Sequence, residues 1–254
     1  MKIAIIQSSL FWENPKVNGN QFEEKINDIT DDVDLIVLPE MFSSGFTMQP
    51  DHVAETMQGE TIAWLKQLAK AKNAAITGSL VITENGNYYN RLVFVFPSGE
   101  IQYYDKRHLF TLAGEDKVYT AGNKKLIVEY KGWKICPLIC YDLRFPVFSR
   151  NTEEYDVLIY VANWPEIRIK AWDALLKARA IENVSYAIGV NRIGEDGSKF
   201  EHNGHSQVVN FLGDYILEPV EAKGVFIVEL NKAELLSARN KFDFLSDRDS
   251  FVLE

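Results

Sequence analysis

Short apolar runs rich in valine and isoleucine alternate along the chain with longer amphipathic stretches. Residues 2–7 (KIAIIQ) form the first such run and 34–40 (DLIVLPE) the second. A continuous apolar run of this length predicts a strand covered on both faces. Between them, residues 17–29 carry helical spacing. Residues 61–73 do so again, with Ile62, Leu65, Leu68 and Ala69 at intervals of three and four, and 74–80 (AAITGSL) predicts a further strand.

The middle of the chain changes style. The turn clusters Glu84-Asn85-Gly86-Asn87 and Pro97-Ser98-Gly99-Glu100 flank the run YNRLVFVF. Such punctuation predicts antiparallel hairpins within one sheet. Further strands are predicted at 126–130, 133–140, 156–163, 185–191, 206–211 and 225–230, with a turn at Gly213 and helices at 166–183 and 232–240. The tail, 241–254, is irregular yet carries Phe242, Phe244, Phe251 and Leu253, a content that predicts docking on a neighbouring surface or a partner subunit. No linker, repeat or low-complexity segment divides the chain, so one α/β domain over residues 1–254 is expected, its sheets covered by helices.

Composition narrows the function. The 36 acidic residues outnumber the 27 basic ones for a net charge of −9, which opposes nucleic-acid binding. No apolar run approaches the ~20 residues of a membrane span, and no secretory pattern leads the chain. A cytoplasmic protein is expected, with Cys136 and Cys140 as reduced thiols. No GxSxG elbow, Walker loop, GxGxxG or HExxH spacing is present, and the two cysteines do not form a CxxC knuckle. Neither a metal nor an organic cofactor is expected.

Three reactive groups fall at the carboxyl ends of predicted strands, where open α/β sheets place their ligands. Glu40 ends DLIVLPE, Lys106 follows IQYYD, and Cys140 ends WKICPLIC. A carboxylate can take a thiol proton, a thiolate can attack a carbonyl, and an ammonium can hold the resulting oxyanion. Each residue also has a plain alternative: Glu40 a helix cap, Lys106 part of a wet surface cluster, Cys140 a small core residue.

Longer motifs surround all three. Leu38-Pro39-Glu40-Met41-Phe42, Tyr104-Asp105-Lys106-Arg107-His108-Leu109-Phe110 and Ile139-Cys140-Tyr141-Asp142-Leu143-Arg144-Phe145-Pro146 together resemble the nitrilase superfamily of carbon–nitrogen hydrolases. The stretches 39–48 and Ala162-Asn163-Trp164-Pro165 are similar to its ω-amidase branch, especially the bacterial 2-oxoglutaramate amidases. The resemblance implies an α/β fold of the four-layer α-β-β-α sandwich type, a homodimer built through helices and the tail, and a Glu-Lys-Cys triad of Glu40, Lys106 and Cys140. It also implies a second glutamate after the lysine. Glu115 matches that place, with Asp116 adjacent.

The implied activity is cleavage of the terminal amide of a short 2-oxo dicarboxylic acid monoamide to the acid and ammonia. Cys140 would attack, Glu40 would shuttle the proton, and Lys106 with the Tyr141 backbone N–H would hold the oxyanion. Glu40 is then expected to be buried with a raised pKa, since a carboxyl near ~4.3 is a poor acid for the leaving nitrogen. Arg144 and Arg168 are candidates for the substrate's far carboxylate. For Arg144 an ion pair with Asp142 is the alternative, and for Arg168 a solvated helix start. Phe46 and Trp164 are candidate pocket walls, with plain core packing as the alternative. Other hydrolases of the superfamily share the triad: N-carbamoyl amidases, nitrilases and the amidase of deaminated glutathione. An acyltransferase would bring membrane spans or extra domains, and a non-catalytic binding protein on this fold would show a broken triad.

Overall fold

The computed structural model describes residues 1–253, and the last residue of the predicted tail, Glu254, lies outside the described residues. The first half of the chain runs β1 (Lys2–Gln7), α1 (Pro15–Asn27), β2 (Leu35–Val37), α2 (Glu60–Lys72), β3 (Ala75–Glu84), β4 (Asn87–Val95) and β5 (Ile101–Asp105). The second half runs β6 (Val128–Tyr130), β7 (Trp133–Ile139), α3 (Pro146–Ser149), β8 (Val157–Ala162), α4 (Ile169–Asn183), β9 (Tyr186–Asn191), β10 (Ser206–Val209) and β11 (Tyr215–Val220). β12 (Gly224–Glu229) returns to pair antiparallel with β1, and α5 (Lys232–Phe242) closes the order.

Two six-stranded sheets result, ordered β12-β1-β2-β3-β4-β5 and β11-β10-β9-β8-β7-β6. The two-residue period of β1 explains why they stack. Ile3 and Ile5 face the second sheet and share a core with Ile135, Ile188 and Val190. Ala4 and Ile6 face the other way, onto Phe22 and Ile26 of α1 and a set that includes Ile62 and Leu65 of α2. A strand buried on both faces needs the unbroken apolar run that the sequence carries. On the far side, α4 lays Trp172 and Leu176 over β9. A Cβ at Gly189 would stand 2.4 Å from Leu176 Cδ1, so only glycine permits that approach. The layers are therefore α-β-β-α.

Several predicted boundaries shift for local reasons. β2 stops at Val37 because Pro39 removes a donor and restricts the residue before it, and Glu40 lies in the turn that follows. β7 stops at Ile139, and Cys140 opens a 3-10 turn over Cys140–Arg144. The helix predicted at 166–183 divides into a 3-10 turn, Glu166–Arg168, and α4. Neither α3, which starts on Pro146, nor β11 was predicted. β11 is an edge strand with Pro219 in it, and its weak alternation gives little signal. In the tail, Leu245 is buried against the core, while Phe242 and Phe244 stack on each other with centroids 5.3 Å apart and stay partly exposed. No helix among the described residues is long and apolar enough to cross a membrane.

Candidate active site

Glu40 and Lys106 leave the ends of β2 and β5 in the first sheet; Cys140 leaves the end of β7 in the second. Stacking the sheets brings the three together. The Lys106 ammonium lies 2.9 Å from Glu40 Oε1 and 2.9 Å from Glu115 Oε2. Cys140 lines one cavity with Glu40 and Lys106, close enough for both charges to act on its thiol. Glu40, Lys106 and Glu115 are all buried, whereas Cys140 sits below the surface but open to a cavity.

Buried charges need partners and satisfied lone pairs. Glu40 Oε1 accepts from Asn90 Nδ2 at 2.8 Å as well as from Lys106, and Oε2 accepts from the Asn163 backbone N–H at 2.8 Å. Asn163 Nδ2 donates to the Glu40 carbonyl at 2.6 Å. Glu115 accepts from Lys106, from Asn90 Nδ2 at 3.2 Å and from the Phe110 N–H at 2.6 Å. One ammonium thus lies between two carboxylates, each held by further donors.

The electrostatics follow from this packing. Burial works against the Lys106 ammonium, but the adjoining Glu115 and Glu40 outweigh it and hold its pKa above the ordinary lysine value. Burial pushes the Glu115 carboxyl up against the pull of Lys106. Burial also pushes the Cys140 thiol well up, Glu40 adds to that shift, and Lys106 opposes it. The resting nucleophile is a neutral thiol beside a carboxylate. Such a pair can deliver the thiolate at the moment of attack.

The backbone presents the sulfur on a sharp elbow. Cys140 has φ +43°, a left-handed conformation that costs of order 1–3 kcal/mol outside glycine. Asp142, two residues on and fully buried, accepts from the Ile139 N–H at 3.0 Å and from the Tyr104 hydroxyl at 2.8 Å, fixing the turn.

Above the thiol opens a cavity of about 360 Å³. Phe46, Phe110 and Trp164 wall it, and Arg144 and Arg168 reach into its lining. Lys106 lies over the Phe46 ring at 5.1 Å, Arg144 over Trp164 at 5.0 Å, and Arg168 over Phe110 at 5.2 Å. Neither arginine has a carboxylate within ion-pair distance among the described residues, and burial lowers the Arg168 pKa, as does its neighbour Arg144. The Arg144–Asp142 pair is absent because both Asp142 oxygens are taken up by the turn and by His108. Arg168 lies on the cavity wall, half-buried.

The carbon-nitrogen hydrolase family model matches residues 2–240. The chain belongs to the carbon–nitrogen hydrolases. It is 43% identical to the omega-amidase YafV of Escherichia coli K12 over 100% of this chain and 98% of that protein. It is 31% identical to the 2-oxoglutaramate amidase of Bacillus subtilis 168, covering 96% of each. The crystal structure of XC1258 from Xanthomonas campestris, a CN-hydrolase superfamily protein with an arsenic adduct in its active site, superposes with a TM-score of 0.97 at 42% identity, covering 100% of this chain and 99% of that one. The α-β-β-α sandwich is thus that of the nitrilase superfamily, and the chain is a hydrolase of carbon–nitrogen bonds other than peptide bonds.

In this carbon–nitrogen hydrolase the structure gathers every candidate position at one cavity: Glu40, Lys106, Cys140 and Tyr141 line it with the walls and arginines, and Glu115 stands behind Lys106. Asp116, next to Glu115, is exposed. Sequence reasoning missed Asn90 and assigned no role to Asn163. Asn163 directly follows the apolar strand β8 and Asn90 lies within β4; both are buried, and a buried polar residue asks for a partner. His205 lies elsewhere, between Asp173 and Glu221. Arg179 and Glu182 pair on α4, and Arg179 donates to the Leu143 carbonyl at 2.6 Å, a structural tie. No cluster of three or more metal-ligating side chains occurs among the described residues.

Proposed function

We propose that the protein is an ω-amidase, which hydrolyses the terminal amide of a short 2-oxo dicarboxylic acid monoamide such as 2-oxoglutaramate to the acid and ammonia. The observation that carries this reading is the Cys140 thiol close to Glu40, beside Lys106 between two glutamates, beneath a cavity holding two arginines without carboxylate partners. The names of the relatives point the same way.

In this mechanism Cys140 Sγ bonds to the amide carbon as the thiol proton passes to Glu40. The carbonyl electrons move onto oxygen, held by Lys106 Nζ and the Tyr141 backbone N–H. Each such donor is worth ~10²–10³ in rate. Collapse breaks the C–N bond, and nitrogen takes the proton from Glu40 and leaves as ammonia. Water then attacks the thioester and gives a proton to Glu40. The C–S bond breaks, the acid departs and the proton returns to Cys140. Glu115 keeps Lys106 charged and in place.

Arg144 and Arg168 hold the substrate's far carboxylate, and Phe46 and Trp164 flank its chain. The reading includes a single domain over the whole chain, a cytoplasmic location with both cysteines as free thiols, and a homodimer that covers the apolar face of Phe242, Phe244, Phe251 and Leu253.

The test is ammonia release from 2-oxoglutaramate by the wild type and by Cys140→Ala. Release that disappears in the variant supports nucleophile and substrate together. No release by the wild type removes the ω-amide substrate, and carbon dioxide release from N-carbamoyl compounds would then identify a carbamoyl hydrolase. Equal release by both proteins removes Cys140 from the reaction.

A further inference from the structure

Asn90 is fully buried on β4, opposite Val81 of β3, and it reaches all three charged residues of the site. Its carbonyl accepts the Lys106 N–H at 3.0 Å. Its Nδ2 donates to Glu40 Oε1 at 2.8 Å and to Glu115 Oε1 at 3.2 Å. The Lys106 ammonium donates to the same two oxygens, at 2.9 Å and 3.1 Å. Two carboxylate oxygens and two nitrogens thus close one buried ring of hydrogen bonds. Asn90 Oδ1 has no partner, so the two carboxylates alone orient the amide. Turned over, the amide would set one acceptor against two others.

The charges in this ring do not balance, because two carboxylates meet one ammonium. Two carboxylates buried in one site ordinarily take up a proton between them. The Glu115 carboxyl shows the conflict: burial pushes its pKa up, Lys106 pulls it down, and Glu40 pushes it up again. Asn90 gives that pair two N–H donors while adding no charge and no group that titrates. An N–H on a carboxylate favours its ionised form. Both carboxylates work only when ionised. Glu40 has a thiol proton to accept, and Glu115 keeps Lys106 charged.

We infer that Asn90 is a positioning residue that keeps Glu40 and Glu115 ionised together around Lys106, and so sets the lowest pH at which Cys140 is activated. This rests on the reading of Cys140 as the nucleophile and Glu40 as its base. The other titratable groups facing the pair are Lys106, the Cys140 thiol and the Tyr119 hydroxyl. Each is held above its ordinary pKa, so none of them changes charge in acid. His108 follows Lys106 by two residues, and His202 lines the cavity. Both are common to the wild type and the variants below, so a limb that either sets stays in place.

The test is the rate of Cys140 alkylation by iodoacetamide from pH 4 to pH 9, read by mass spectrometry in the wild type, Asn90→Leu and Asn90→Asp. The reaction needs an activated thiol but no ω-amide: an S–C bond forms, iodide leaves, and the thiol proton passes to Glu40. Asn90→Leu removes the donor at nearly the same size. Asn90→Asp keeps the shape and replaces the donor with an acceptor. In both variants the acid limb of the rate is expected to move up by about 1–2 pH units, the worth of one hydrogen bond to a charged group. Rates that fall while the limb stays in place mean a packing role and overturn the inference. An Asn90→Asp limb that coincides with the wild type overturns it too, since shape alone would then suffice. If Asn90→Leu does not fold, Asn90→Ser, too short to reach either carboxylate, takes its place with the same expectation. Ammonia release from 2-oxoglutaramate, measured alongside, separates the two readings. Shifted limbs without ammonia release support the inference and remove only the ω-amide substrate. Wild-type alkylation that misses Cys140 overturns the nucleophile reading and the inference with it.

Discussion

His108 and Asp142 are joined twice through one oxygen: the His108 backbone N–H donates to Asp142 Oδ1 at 3.1 Å, and the ring Nδ1 lies 2.8 Å from the same atom. The other oxygen receives Tyr104 and Ile139, and the Tyr104 hydroxyl itself accepts from the Arg107 N–H at 3.0 Å. One buried carboxylate thereby ties the segment on either side of Lys106 to the elbow that carries Cys140. The His108 ring is pinned in turn by stacking on Phe145, with centroids 3.8 Å apart. Replacing Asp142 with Asn keeps the shape but turns one acceptor into a donor facing donors. Asp142→Asn is expected to lose about 1–3 kcal/mol of stability. Misplacing the thiol by around 1 Å should cost ~10² in kcat/KM. Thermal melts and steady-state kinetics check both, and a variant that melts lower with unchanged kinetics would show that the tie holds the fold without placing the nucleophile.

Glu115 makes its case through Lys106. In Glu115→Gln the ammonium keeps Glu40 as its only anionic neighbour, so its pKa falls. Wild-type Lys106, with its raised pKa, stays charged above the usual lysine range near ~10.4. The oxyanion donor is needed in the charged form, so activity is lost as pH rises through that pKa. The variant should lose ~10²–10³ in kcat with little change in KM, and its alkaline limb should move to lower pH. A pH–kcat profile in which both limbs stay in place would remove Glu115 from that role.

Much of this geometry was legible because strands buried on both faces write themselves as apolar runs, and the reactive residues interrupt those runs. Glu40 after DLIVLP and Cys140 after WKICPLI are such interruptions. Their companions were harder to read. Asn90 lies mid-strand, and what makes it important is its reach to both Glu40 and Glu115, contacts that span 50 and 25 residues. The side-chain pairing of Asp142 with His108 depends on how the two sheets stack, which no local pattern records. The elbow at Cys140 was read as the last residue of a strand because its left-handed φ leaves no glycine to mark it. β11 failed for the opposite reason: an edge strand with few buried positions has no strong period to show.

The two cavity arginines separate substrate charge from substrate shape. Charge-assisted hydrogen bonds contribute ~1.5–3 kcal/mol, which corresponds to roughly 10- to 150-fold in binding. Arg168→Met and Arg144→Met should therefore each raise KM for 2-oxoglutaramate by about 10-fold or more, with the kcat of a neutral amide such as butyramide unaffected. Equal losses on charged and neutral amides would make the arginines mere wall, stacked on Phe110 and Trp164.

His202 links the cavity to the acid stability of the molecule. Its ring is buried on the cavity wall, with Nδ1 donating toward the Phe200 carbonyl at 3.0 Å and the Gly194 carbonyl at 3.2 Å. Burial lowers its pKa to about 4, and the Arg192 guanidinium adds to that, while Asp196 at 3.9 Å opposes it. The unfolded chain takes up the proton near ~6.5. The folded state therefore binds fewer protons between those values. Its stability is present in full above the unfolded pKa and is lost as pH falls through the folded one. The shift is worth up to about 3 kcal/mol. Urea unfolding of wild type and His202→Asn from pH 4 to pH 7 isolates this share, because the carboxylates common to both proteins cancel in the difference. The asparagine supplies an N–H for the two carbonyls and has no proton to take up, so its profile should be flatter by that amount. Parallel profiles would mean that His202 titrates alike in both states. A flatter profile accompanied by activity that persists to lower pH would further tie acid inactivation to this wall of the cavity.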